Sequence, residues 1–229
     1  LKPETLSALN QARAERRAIV FAKHLPDGVE LLLPSADAPD ALNAAATAAL
    51  AANKSVTQDI DGELWFIEAR NPAPRLIIVG AVHIAQALAP LAVMTGFDVV
   101  LNDPRQALTG KDRFPDTKIL EAWPDEAMQE LRLDSGTAVV ALTHDPKLDD
   151  PALDTALRSQ AFYIGALGSR KSQAARLQRL AELGHDSETL GRIRGPVGLR
   201  IAAITAPEIA LSIMSEIIAV LRGGELAKR

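Results

Sequence analysis

Four short segments carry residues whose types and spacing suit the binding of an anionic ligand. The first is Gly80-Ala81-Val82-His83-Ile84-Ala85, a turn between an apolar run and a helix-like stretch. In a G-x-G-x-x-G fingerprint the first glycine makes the turn. The second lets backbone approach a pyrophosphate, and the third allows close helix packing. Gly80 and Ala85 suit the first and third places. Val82 stands at the second, where its branched side chain would occupy the phosphate's approach. Asp103 follows Gly80 by about 23 residues, near the ~20 usual for a ribose-binding acid. A Rossmann-like packing turn without ligand explains these residues equally well.

The second segment, Gly165-Ala166-Leu167-Gly168-Ser169-Arg170-Lys171, lies between a strand-like run and a helix. Free N–H groups and the helix dipole make such a junction a site for anions. Ser169 can cap or donate. Arg170 and Lys171 oppose the dipole, a conflict that a bound anion relieves, so a phosphate site is the favoured reading over a plain capped turn. The third segment is His144-Asp145-Pro146 with Leu148-Asp149-Asp150, after a strand whose end belongs at the carboxyl edge of the sheet, where open α/β sheets bind ligands. His144 could donate to an anion or carry a proton. Turn chemistry alone accounts for it equally, and Asp150-Pro151 reads as an N-cap and first helical residue.

The fourth segment is Gly195-Pro196-Val197-Gly198-Leu199, followed by Glu208, Ser212 and Glu216 on one helical stripe. The two-glycine loop either lines a ligand crevice or simply turns. Thr205-x-x-Glu208 is a capping box, which already explains Glu208. Glu216 reads as a solvated helix residue, and His24 and His185 as surface. His83 and Arg105 stand alone, and His83, in the first turn of its helix, could reach a ligand. No H-E-x-x-H, paired-carboxylate or nucleophile-elbow pattern occurs.

The elements that must hold these residues follow from periodicity. Residues 3–17 read as a helix, 18–22 and 29–33 as a hairpin across Pro26-Asp27-Gly28, 40–52 as an Ala-rich helix and 63–69 as a strand after the Asp61-Gly62 turn. Asn71-Pro72-Ala73-Pro74 is the linker. Beyond it, apolar runs at 76–79, 98–101, 118–120, 137–142, 161–164 and 201–204 alternate with helices at 82–94, from 124, from 151, at 170–183 and from 205. Pro90 should kink the first of these helices, and residues 223–229 read as a frayed tail. The fold class is therefore α/β. A Rossmann-like parallel sheet with helices on both faces (73–229) follows a small N-terminal α+β domain (1–72).

Composition narrows the function. A net charge of −4 argues against a general nucleic-acid surface. There is no cysteine, so disulfides, zinc thiolates and thiol nucleophiles are excluded from this chain. The most apolar stretch, 201–221, is broken by Pro207, Glu208 and Glu216, whereas a membrane span needs roughly 20 mostly apolar residues. The first residues show no secretory signal pattern, and a cytoplasmic location is expected.

Taken in order, Leu76-Ile77-Ile78-Val79-Gly80-Ala81-Val82-His83, Asp103-Pro104-Arg105, Thr143-His144-Asp145, residues 163–170, residues 195–199 and residues 207–213 with Glu216 resemble the C-terminal half of the XdhC/CoxI family. The resemblance covers roughly residues 75–222. The chain is identified as a divergent or shortened member. Residues 1–72 carry neither the Gly-Ser-x-Pro-Arg nor the Ser-Gly-Gly-Cys element usual in that family, and Val82 stands where the family tends to have glycine.

The resemblance implies an accessory protein that binds molybdenum cofactor (molybdopterin) and helps deliver it to an apo molybdoenzyme of the xanthine dehydrogenase type. Its phosphate is expected at Gly168, Ser169 and Arg170, and the pterin near Gly80, His83 and His144. Asp103, Arg105, Asp145, Gly165, Gly198 and Glu208 complete the expected cofactor-binding set. The metal is expected on the cofactor's own dithiolene, without a protein ligand, and the protein is expected to be a homodimer. Two other readings stand beside this one. One is an NAD(P)-dependent oxidoreductase, and the other is an interaction protein that keeps the fold without a ligand.

Overall fold

Four short strands in the N-terminal part of the chain pair into one antiparallel sheet. The computed structural model describes residues 1–224, and the chain divides into two units, Leu1–Ala73 and the chain from Pro74 onward. The first unit contains α1 (Pro3–Ala14), β1 (Ile19–His24), β2 (Glu30–Leu33), α2 (Asp40–Ala52), β3 (Val56–Ile60) and β4 (Glu63–Arg70). Its sheet runs β2-β1-β4-β3. Asp61 and Gly62 join β3 to β4 with φ of 55° and 87°, the left-handed pair a two-residue hairpin loop demands. Leu42, Ala46 and Ala49 of α2 pack with Val20, Ala22 and Ile67. Leu9 and Ala12 of α1 pack with Ile19 and Phe21, which alternation sends to the other face.

The second unit alternates strand and helix. It comprises β5 (Arg75–Val79), α3 (His83–Met94), β6 (Asp98–Asn102), β7 (Lys118–Leu120), α4 (Pro124–Leu131), β8 (Thr137–Ala141), α5 (Pro146–Leu157), β9 (Tyr163–Ala166), α6 (Arg170–Glu182), α7 (Ser187–Leu190), β10 (Ile193–Arg194) and α8 (Ala206–Arg222). Six parallel strands run in the order β10-β9-β8-β5-β6-β7. Every residue of β5 and β8 is buried, as expected of strands covered on both faces. One face packs Leu76, Ile78 and Val140 against Leu88 of α3 and Ile213 and Ile217 of α8. The other packs Ile77, Val79 and Val139 against Met128, Leu153 and Leu180 of α4, α5 and α6. The chain leaves β5 toward β6 on one side and returns at β8 on the other, so the topological switch point lies between β5 and β8.

Several elements differ from the sequence expectation. Helix α5 opens at Pro146 rather than Pro151, with Asp145 as N-cap accepting from Lys147 N–H at 3.0 Å. The Asp-Pro signal occurs twice, and the earlier copy starts the helix while Pro151 lies inside it. Residues 201–204 form no strand. Ile201 and Ile204 are 49% and 86% exposed, and the last strand is Ile193–Arg194. Strand β3 completes the hairpin that Asp61-Gly62 suggests, though its own residues show no apolar alternation, and the short α7 carries no clear signal in the sequence. Gly223, expected in a frayed tail, is the left-handed cap of α8 at φ 66°. The rest of that tail, residues 225–229, lies outside the described residues.

Candidate functional site

The turn after β5 is closed by its neighbours. Gly80 has φ 109°, and a Cβ there would lie 2.5 Å from the Thr143 methyl, so the β5 and β8 turns touch backbone to side chain. Asp103, 1% exposed, accepts from Ala81 N–H at 2.7 Å through Oδ2. Its Oδ1 accepts from Arg105 N–H at 3.0 Å and Nε at 2.8 Å, and Arg105 Nη2 reaches Oδ2 at 2.6 Å. Arg113 donates to the Ala81 carbonyl at 3.0 Å. Both ends of residue 81 are thus held from the β6 side. Burial pushes the Asp103 carboxyl up, but the Arg105 hydrogen bonds and the two backbone N–H groups outweigh it and hold the acid below its ordinary range. With both oxygens engaged, Asp103 offers a ribose no open acceptor, and Val82 is the N-cap of α3 at the usual second-glycine position. The dinucleotide reading gains no support from this geometry.

The next turn is organised by Asp149, which is 1% exposed. Its Oδ1 accepts from Thr143 Oγ1 at 2.6 Å and Thr143 N–H at 3.3 Å, and its Oδ2 from His144 N–H at 3.1 Å. This clasp holds His144 at φ 63°, uncommon for a residue with a side chain. Arg176 of α6, 3% exposed, faces Asp149 at 3.6 Å and donates to the Leu167 carbonyl at 2.8 Å and to Gln173 Oε1 at 2.7 Å. Burial pushes the Asp149 carboxyl up against the Thr143 hydrogen bonds and the Arg176 charge, and burial likewise lowers Arg176. A Cβ on Gly168 would lie 3.8 Å from His144 Nδ1, so the β8 and β9 turns meet here. Ser169 caps α6, accepting from Ser172 N–H at 3.1 Å.

Beside this edge lies a cavity of about 580 Å³, within the range of small-molecule sites. Its wall runs from Leu167 and Arg170 along residues 195–203 to Ile209 and Ser212 of α8. Val197 and Ile209 supply apolar surface, and Arg170 and Arg200 supply charge. Neither guanidinium has an ion-pair or side-chain hydrogen-bond partner among the described residues. A Cβ on Gly165 would lie 2.6 Å from Val197 and 2.8 Å from Tyr163, so that glycine lets the 195–199 loop close on β9. Gly198 N–H donates to Glu216 at 2.8 Å, and Tyr163 O–H to the same oxygen at 2.6 Å. Glu216 is fully buried, which corrects the expectation of a solvated helix residue.

Of the expected binding residues, Gly168, Ser169, Arg170 and His144 come together at the β8 and β9 ends, and Gly198 joins them through the cavity loop. Gly80, Asp103 and Arg105 form a separate clasp around the β5 turn. His83 is exposed at the first turn of α3, and Asp145 caps α5. Glu208 is exposed and completes the capping box, its Oε2 accepting from Ile204 and Thr205 N–H at 2.7 and 2.9 Å. His24 and His185 are not simple surface residues. Their side chains are 13% and 5% exposed, with His24 between Asp27 and Glu63 and His185 against Asp154. Sequence reasoning missed Arg113, Arg176 and Arg200, and it named Asp149 and Tyr163 only as members of their segments, without a role. Only Asp149 carried a local signal, since an acid in the first turn of a Pro-led helix suits the dipole.

Two curated relatives are similar to about two thirds of this chain. The molybdenum cofactor insertion chaperone PaoD of Escherichia coli (strain K12) is 36% identical over 149 residues, 65% of this chain and 41% of that protein. A probable xanthine dehydrogenase subunit of Bacillus subtilis (strain 168) is 35% identical over 154 residues, 67% of this chain and 44% of that protein. The chain therefore spans less than half the length of these relatives. A crystal structure of a xanthine dehydrogenase from Bacillus halodurans superposes with a TM-score of 0.71 over 99% of this chain and 66% of that one, and its 23% identity speaks for the fold alone. The XdhC Rossmann domain family matches residues 76–217, more than half of the sequence, and the chain belongs to the XdhC family.

Proposed function

We propose that this chain is an accessory protein that binds molybdenum cofactor and hands it to an apo-enzyme of the xanthine dehydrogenase type. The observation that carries this reading is the cavity beside the first turn of α6, where Arg170 and Arg200 face an apolar wall without partners of their own among the described residues. That chemistry fits a cargo with an anionic phosphate end and a flat organic body. The names of the Escherichia coli and Bacillus subtilis relatives point the same way.

In this reading Arg170, Arg200 and the N–H groups following Ser169 hold the phosphate by charge-assisted hydrogen bonds. Val197 and Ile209 cover the organic body, and His144, beside Gly168, serves as a donor or proton carrier. The molybdenum belongs to the cargo. The chain's own task is to bind, shield and release. Self-association as a homodimer is part of the proposal, checked by sedimentation.

The test is anaerobic incubation of the purified chain with released molybdenum cofactor, then gel filtration with molybdenum and pterin assayed in the protein peak. Near-stoichiometric co-elution is expected. In Arg170→Ala, retention should fall roughly tenfold, the scale of one charge-assisted contact. Its melting temperature should not change, because Arg170 is exposed. Well-folded wild-type chain that retains no cofactor overturns the proposal.

A further inference from the structure

Three polar residues of α8, Glu208, Ser212 and Glu216, stand four apart and so share one stripe. Ser212 and Glu216 hold two points of the segment that walls the cavity, and Glu208 holds the chain just after it. Glu208 accepts from Ile204 and Thr205 N–H at 2.7 and 2.9 Å. Ser212 Oγ donates to the Leu199 carbonyl at 2.7 Å, and its own carbonyl accepts from Leu199 N–H at 3.2 Å. Glu216 accepts from Gly198 N–H at 2.8 Å, with Arg194 Nη1 3.6 Å from its other oxygen. Gly198 has φ 94°, and a Cβ there would run into Ser212 Oγ, so the loop lies directly on the helix. Between these anchors, residues 200–203 carry Arg200 along the cavity wall.

We infer that Ser212 and Glu216 are positioning residues for the ligand: they clamp Gly198 and Leu199 to α8 and thereby fix where Arg200 stands. The inference rests on the cavity reading given above. Neither clamp needs to touch the cargo. Glu216 is fully buried and Ser212 is 4% exposed, whereas Arg200 is exposed. The buried carboxylate holds two donors from distant parts of the chain on one oxygen, and without it Gly198 N–H and the Tyr163 hydroxyl each lose an acceptor. The helix thus acts as a rigid rail and the glycine loop as the part it aims.

The experiment uses the full chain with Glu216→Ala, Glu216→Gln, Arg200→Ala and the Arg200→Ala/Glu216→Ala double variant. Its first arm needs no ligand. Hydrogen exchange across residues 197–204 should quicken roughly tenfold in Glu216→Ala, the scale of one lost hydrogen bond to a charged group. It should return toward wild type in Glu216→Gln, whose carbonyl keeps the shared acceptor. Unchanged exchange in a folded Glu216→Ala overturns the clamp whatever the ligand proves to be. The second arm measures retention of released molybdenum cofactor. Each single alanine variant should weaken it roughly tenfold, and the double variant should be little worse than either, because Glu216 acts through Arg200. Multiplying effects would show that Glu216 does not act by placing Arg200. If the wild type binds no cofactor, the carrier reading falls and the exchange arm alone decides the clamp.

Discussion

Gly80 and Thr143 touch across the switch point of the parallel sheet: a Cβ on Gly80 would lie 2.5 Å from the Thr143 methyl. The glycine that a dinucleotide fingerprint assigns to a phosphate turn is here accounted for by packing between two strand ends. Gly80→Ala should therefore destabilise the chain by about 3 kcal/mol, combining a φ of 109° with the steric clash. Adding Thr143→Ser removes the methyl and keeps the hydroxyl on Asp149, so urea titration should show the double variant regaining part of the loss. No recovery would mean that backbone strain alone sets the cost.

The same turn gives a pH prediction. Asp103 is held below its ordinary value of 3.8 because Arg105 and two backbone N–H groups outweigh the cost of its burial. A depressed acid adds stability that is complete above its unfolded value and is lost as pH falls through the folded one. The stability difference between wild type and Asp103→Asn should be constant near neutrality and shrink below pH 3.8. Denaturant midpoints measured from pH 6 to pH 2 check this. A gap that widens in acid would reverse the assignment.

Millimolar NAD or NADP should leave the melting temperature unchanged. A ligand that binds only the native state must raise it, and the engaged oxygens of Asp103 together with Val82 at the N-cap of α3 leave the β5 turn without a dinucleotide's usual contacts. A clear rise by differential scanning fluorimetry would favour the oxidoreductase reading.

The strands and helices of the second unit were legible because buried parallel strands read as apolar runs and their helices carry proline and glycine at the ends. Ambiguity arose where one signal occurs twice, as at Asp145-Pro146 and Asp150-Pro151. It arose again at residues 201–204, whose apolar side chains face outward along the cavity segment. The turn at Gly168-Ser169-Arg170, with Ser169 as the N-cap of α6, was legible because glycine, cap and helix start are consecutive. Glu216 was not, since its burial depends on Tyr163 and Gly198, which lie 53 and 18 residues away. Arg200 gave no sign either, because a cation in a loop is ordinary and only the fold puts it on the same cavity wall as Arg170.

Asp149 and Arg176 supply the last prediction. Both are almost fully buried, and the carboxylate clasps Thr143 and His144 while the guanidinium ties α6 to the Leu167 carbonyl. Removing one member of such a pair leaves an uncompensated buried charge, whereas removing both does not. Asp149→Ala should cost about 3–5 kcal/mol in urea unfolding. It should also free His144 from its left-handed backbone, visible as a shift of its ring resonances. Asp149→Ala with Arg176→Met should be no less stable than Asp149→Ala alone, since the stranded guanidinium is gone and methionine fills much of its space. If the double variant instead loses the sum of both single costs, the two residues stabilise the edge independently, with the Thr143 and His144 clasp holding the β8 turn to α5 and Arg176 holding α6 to the Leu167 carbonyl.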